Sequence, residues 1–141
     1  MTRTIAVVDG MGGGIGAQLV ARIKKELRAD VAIVALATNA VAAQRMVDAG
    51  AARGASGENA FRVVLADADF IVGPLGIALP DAMMGEVTAA MAESVLAAKG
   101  KKILLPLVQS HLALVGLAQR SVGDLVELAV QELARSLSEG Q

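Results

Sequence analysis

Five glycines fall within seven positions, Gly10, Gly12, Gly13, Gly14 and Gly16, in the stretch "VVDGMGGGIG". A loop so built can turn tightly, bring its backbone N–H groups against a phosphate, and let the following helix pack closely on the preceding strand. If a helix begins inside it, a phosphate also meets the positive end of the helix dipole. A bare strand-to-helix corner needs one or two glycines, and each further one costs roughly 0.5–1 kcal/mol of backbone entropy. The excess favours a phosphate cradle. The pattern is G-x-x-x-G-x-G through Gly10, Gly14 and Gly16; G-x-G-x-x-G fails because Ile15 stands in its last place. No Lys-Ser or Lys-Thr follows the glycines, which excludes a P-loop.

Other residues could complete such a site. Asp9 puts a carboxylate at the mouth of the loop, where it would repel a pyrophosphate unless it faced away, held a metal ion, or bonded a ribose or the loop's own amides. A turn role and a ligand contact are both open for it. Dinucleotide sites place Asp or Glu at the end of the second strand to bond ribose hydroxyls, whereas this chain has Thr38 and Asn39 there. Both can bond a ribose and neither repels a 2′-phosphate, so the missing acid disfavours NAD, tolerates NADP and leaves simpler nucleotides or phosphorylated metabolites open. Helix capping would account for the same two residues. Arg45 lies too far along the next helix to be assigned. Gly73 and Pro74 close the third strand, where a small rigid backbone could floor a pocket or simply make a turn.

"ARGASGEN" gathers Arg53, Ser56, Glu58 and Asn59 ahead of a helix, which suits an anion or only a capped helix with a solvated arginine. His111, the single histidine, is the best candidate general acid or base, although no carboxylate or second histidine is near it in sequence. No metal-ligand spacing is evident. Met83, Met84 and Met91 fit core or subunit contacts better than a cofactor box.

The elements that must position these groups follow from the hydrophobic period. Ile5 to Val8, Val31 to Ala37, Asp69 to Pro74 and Lys101 to Val108 are continuous apolar runs, as expected of strands buried on both faces. Leu112 to Leu117 suggests a short fifth strand. Ile15, Leu19, Ile23 and Leu27 mark one face of a helix, and "AVAAQRMVDA", with Gly50 as its stop, marks a second. Ser56 caps a short helix through about Leu65, with "ARGASGENA" otherwise a loop. "LGIALPDAMMGE" reads as a loop with one helical turn, Thr88 to Ala98 as a helix, and Ser121 as the cap of a last helix bearing Val122, Val126, Val130, Leu133 and Leu137. Strand and helix alternating in this way predict one domain over residues 1–141, an α/β doubly wound, mainly parallel sheet of four to five strands with helices on both faces. The ligand belongs beyond the carboxyl ends of the strands, where strand order reverses.

The stretch "DGMGGGIGAQLV" resembles the opening of the short-chain dehydrogenase/reductase family. The resemblance implies an NAD or NADP site with Gly10, Gly14, Ile15 and Gly16 along the pyrophosphate. It carries no chemistry, because that family works through a catalytic tyrosine and this chain has none. The succession "AVVDGMGGGIG", "ALATNAVA", "AGAARGASGENA", "DFIVGPLGIALPDAMMGEVT" and "KKILLPLV" is similar to a bacterial family known as domain of unknown function 3842. That resemblance implies a Rossmann-like fold and no particular reaction.

Composition narrows the partners. The 141 residues are 55% hydrophobic and 19% charged, with 13 basic and 14 acidic side chains and a net charge of −1. Without a basic stripe, tryptophan or tyrosine, neither phosphate neutralisation nor base stacking on nucleic acid is expected. The absence of cysteine rules out disulfides and thiolate metal sites. No apolar run reaches the roughly 20 residues of a membrane span and no signal peptide is evident, so the expected location is cytoplasmic. The apolar excess predicts a homo-oligomer. Two functions fit: a nucleotide- or dinucleotide-binding protein, or a non-enzymatic sensor or assembly subunit using the same fold.

Overall fold

The computed structural model describes residues 2–27, 30–107 and 111–140. Five strands run β1 (Arg3–Asp9), β2 (Val31–Ala37), β3 (Arg53–Ser56), β4 (Phe70–Pro74) and β5 (Lys101–Leu105). Five helices alternate with them: α1 (Gly14–Glu26), α2 (Ala40–Asp48), α3 (Glu58–Ala66), α4 (Ala89–Ala97) and α5 (Val122–Glu139). The strands form one sheet in the order β3-β2-β1-β4-β5, and every pairing is parallel. From β1 the chain winds outward to β3, then returns to the other side of β1 as β4. The strand order reverses between β1 and β4, and in doubly wound sheets such a reversal opens a crevice at the carboxyl ends of the strands.

The apolar runs are explained by burial on both faces. Ile5 and Val7 of β1, Ile33 and Ala35 of β2 and Phe70 and Val72 of β4 pack under α1, α2 and α5. Ala6, Val8, Leu36 and Ile71, on the opposite face of the same strands, pack against Phe61 and Leu65 of α3 and Met91 and Val95 of α4. Two cores of this kind bury the central strands β1, β2 and β4 on both faces. Helix α1 buries Leu19 and Ile23 as its period predicts, and α5 buries Val126, Val130 and Leu133, with Ser121 accepting from the Asp124 amide as its cap. No helix among the described residues is long and apolar enough to cross a membrane.

Several expectations are corrected. Arg53–Ser56 is an edge strand, not a loop; it is short and largely exposed, so it lacks the apolar run that marks the other four. Ser56 therefore does not cap α3, whose N-cap is Gly57 without a side-chain bond. Leu112 to Leu117 forms no strand and is mostly exposed; the fifth strand is β3. β5 ends at Leu105, before Pro106, which has no N–H for a further ladder bond. Val108 lies outside the described residues.

Gly73 shows how tightly the crevice is closed from below. A Cβ there would lie 2.2 Å from the Val8 carbonyl oxygen, against backbone that cannot swing aside. Gly73→Ala is therefore expected to lower the unfolding free energy in urea by about 2 kcal/mol. Gly123→Ala, where the nearest atom is 3.9 Å away at the start of α5, is the control and should cost nothing measurable.

Candidate functional site

The glycine loop joins β1 to α1 at the crevice. Asp9 is its anchor: only 4% exposed, its Oδ2 accepts the Gly16 amide at 2.7 Å, and the Gly10 and Ile15 amides also face the carboxylate. It lies under the loop rather than at its mouth, bonded to the loop's own amides. Burial pushes its pKa above the ordinary aspartate value, and the bonds from Gly16, Gly10 and Ile15, with the charge of Arg45, only partly offset this. Gly16 sits between Asp9 and α2: a Cβ would meet Met46 Sδ at 2.3 Å and Asp9 Cβ at 2.9 Å. Gly10 is buried beneath Thr38 and Met83, and Gly13, at φ 75°, is the left-handed N-cap of α1. Ile15 packs partly buried against the core.

The upper side of the loop differs. The Gly13 amide turns back to the Gly10 carbonyl, whereas those of Gly12 and Gly14 meet no protein acceptor among the described residues. Arg45, left unassigned from sequence, lies over this part of the loop. Its Nη1 donates to the Gly12 carbonyl at 3.2 Å and stands 3.6 Å from where a Gly14 Cβ would be. Among the described residues it pairs with no carboxylate. The signal was available: Ala42, Arg45 and Met46 share one face of α2 at i, i+3 and i+4, and that face meets the loop.

A second carboxylate, missed by the sequence reading, completes the site. Glu86 reaches back from the β4–α4 connection, and its Oε1 accepts from the Met11 amide at 2.9 Å, Thr38 Oγ1 at 2.6 Å and Asn39 Nδ2 at 2.9 Å. The bonds from Thr38, Met11 and Asn39 hold its pKa below the usual glutamate range, overcoming slight burial. A carboxylate from 48 residues beyond Thr38 thus stands at the end of β2. Asn39 does double service, since its Oδ1 also caps α2 at the Ala42 amide.

The segment carrying Glu86, residues 79–87, is a strap closed on itself by the Asp81 amide to the Val87 carbonyl at 2.7 Å and the Glu86 amide to the Met83 carbonyl at 3.1 Å. Asp81, Met83 and Met84 have φ of 67°, 58° and 58°, and Gly85 has 89°. For side chains other than glycine this left-handed backbone costs about 1–2 kcal/mol per residue and persists only where the surroundings enforce it. Met91 is core and Met83 is half-buried over Gly10, whereas Met84 is 89% exposed.

The remaining candidates fall elsewhere. Gly73 and Pro74 are buried at the end of β4, and a helical turn, Leu75–Ala78, follows them. Arg53 and Ser56 lie on the exposed edge strand, while Glu58 accepts from Thr88 Oγ1 and Asn59 from Arg62. His111 is exposed in the turn after β5, and no hydrogen bond ties it to the glycine loop among the described residues. No group of three His, Cys, Asp or Glu among those residues is placed to hold a metal ion.

A parallel sheet ordered 3-2-1-4-5 with a glycine loop at its reversal defines a Rossmann-like doubly wound α/β protein. The chain belongs to the family described as Domain of unknown function (DUF3842), whose model matches residues 4–138. No curated protein matches it in sequence. Similar solved structures include a dodecameric FMN-dependent Ubix-like decarboxylase from Escherichia coli O157:H7, at TM-score 0.45 and 14% identity over 94% of this chain and 76% of that one. The ADP-L-glycero-D-manno-heptose-6-epimerase of Helicobacter pylori gives 0.47 and 14% over 96% and 51%, and FtsZ of M. jannaschii 0.43 and 18% over 98% and 44%. The chain thus spans about half the length of the epimerase and less of FtsZ.

The buried carboxylate under the loop has a pH signature. Because folding raises the Asp9 pKa, the folded chain holds the proton more tightly than the unfolded chain. The contribution of Asp9 to stability is greatest below the ordinary aspartate pKa and is lost as pH rises through the raised value. Urea denaturation of wild type and Asp9→Asn between about pH 4 and pH 7 should show the wild-type advantage shrinking as pH rises. A difference that grows with pH contradicts this assignment.

Proposed function

We propose that the protein binds a nucleotide or dinucleotide, with NADP and NAD as the first candidates, and that its phosphates lie on Gly12, Gly14 and Arg45. The observation that carries the reading is the pair of amides at Gly12 and Gly14, which meet no protein acceptor among the described residues, with the Arg45 guanidinium over them, held by the Gly12 carbonyl and paired with no carboxylate among those residues, at the reversal of strand order. An anion there gains backbone N–H bonds, the helix dipole and a fork of arginine donors together. Gly10 and Gly16 serve the loop from below, and Ile15, Gly73 and Pro74 shape the floor. The reading is one of binding; it assigns no catalytic residue, His111 included.

An assembly role for the same fold has support of its own. Leu114, Val115 and Leu117, in the stretch after β5, are exposed, Val115 at 98%, and they suit burial against a second copy of the chain.

A thermal-shift comparison of NADP, NAD, ATP, FAD and coenzyme A tests the binding reading. A ligand that binds only the folded chain, at about 100 times its Kd, adds about 2.7 kcal/mol, or about 10 °C for a domain of this size. Gly14→Asp and Arg45→Ala should abolish the shift without lowering the ligand-free Tm by more than a few degrees. No shift with any of the five, or equal shifts in the variants, overturns the reading.

A further inference from the structure

The two charged side chains at the loop are set on adjacent residues of it. Arg45 bonds the Gly12 carbonyl, and Glu86 accepts the Met11 amide. The cationic half offers donors to phosphate. The acidic half offers none, because every donor there, Thr38 Oγ1, Asn39 Nδ2 and the Met11 amide, already points at Glu86 Oε1. Glu86 Oε2 receives no hydrogen bond among the described residues. The three donors are neutral, so they orient the carboxylate and leave its negative charge in place.

Such an oxygen accepts O–H donors and repels a phosphate. Its position beside the end of β2 is where a nucleotide whose phosphates lie on the loop presents its ribose. The strap is built to keep it there: three left-handed residues and a left-handed glycine precede Glu86, and turn bonds close the segment. Little ordering remains to be done when a ligand arrives.

We infer that Glu86 is a specificity-determining residue, whose Oε2 accepts the vicinal hydroxyls of an unphosphorylated ribose and whose charge turns away a ribose bearing a 2′-phosphate. This rests on the nucleotide reading and sharpens it, since Thr38 and Asn39 read alone admit a 2′-phosphate. They serve as positioning residues, acting through Glu86.

Isothermal titration calorimetry of the full chain with ADP-ribose and with 2′-phospho-ADP-ribose tests the inference, with Glu86→Gln as the near-isosteric variant and Gly14→Asp as the loop control. Wild type should favour ADP-ribose by at least about tenfold. Glu86→Gln should lose roughly 10- to 100-fold for ADP-ribose and bring the two ligands near parity, with an unchanged far-ultraviolet spectrum and Tm. Equal or tighter binding of the 2′-phosphate by wild type, or an unchanged ratio in Glu86→Gln, overturns the inference and leaves the nucleotide reading standing. Tighter binding of both ligands by Glu86→Gln overturns it too, and makes Glu86 a stopper that ligands must displace. Binding of neither ligand by wild type at millimolar concentration overturns this inference, and the nucleotide reading falls with it only if NADP, NAD, ATP, FAD and coenzyme A also give no thermal shift.

Discussion

The bond from the Gly16 amide to the buried carboxylate of Asp9 is the constraint on which the site depends. It ties the end of β1 to the first turn of α1 and turns the inner amides of the loop toward the sheet. On the outer side the Gly12 and Gly14 amides are left without a protein acceptor among the described residues. The same contact fixes the neighbouring helix. With Gly16 lacking a side chain, Met46 closes against it, and Ala42 closes against Gly13, so α2 lies on the loop and carries Arg45 over its outer face. One buried carboxylate thus decides both which amides face outward and where the cation above them stands. Burying it opposes ionisation, and the amides and Arg45 offset that opposition only in part.

The second constraint comes from the far side of the crevice. Residues 79–87 hold a strained backbone, and its strongest ties to the rest of the site end at Glu86. Such strain is found where a side chain must be held in place against the preference of the chain. The consequence is a site divided by charge, with hydrogen-bond donors and a guanidinium on one part of the loop and a well-oriented carboxylate on the next. A ligand with phosphate at one end and hydroxyls beside it matches that division; one with phosphate at both places does not.

The fold was legible in the sequence because its signal is burial: β1, β2, β4 and β5 lie between two layers of helices, and continuous apolar runs record this directly. β3 was not legible, since an exposed four-residue edge strand has no such run. The apolar stretch Leu112 to Leu117 misled for the complementary reason: it is apolar without being buried in the sheet. Of the site, the glycine loop declared itself through the number of its glycines, and Asn39 through its place before a helix. Arg45 was within reach of helical periodicity once α2 was known to lie on the loop. Glu86 was not, because nothing local to "DAMMGEVT" announces a left-handed turn at Asp81, Met83 and Met84 that returns a carboxylate to Thr38 across 48 residues.

A titration followed by the backbone amide resonances tests the central claim most directly, and a 14.3 kDa chain suits it. Adding ADP-ribose should move the Gly12 and Gly14 amides and the Arg45 side-chain resonance most, leaving Gly54 on the edge strand and Gly123 on α5 in place. Resonances that move only away from the glycine loop, or Gly12 and Gly14 amides that stay fixed while ligand binds, would contradict the account.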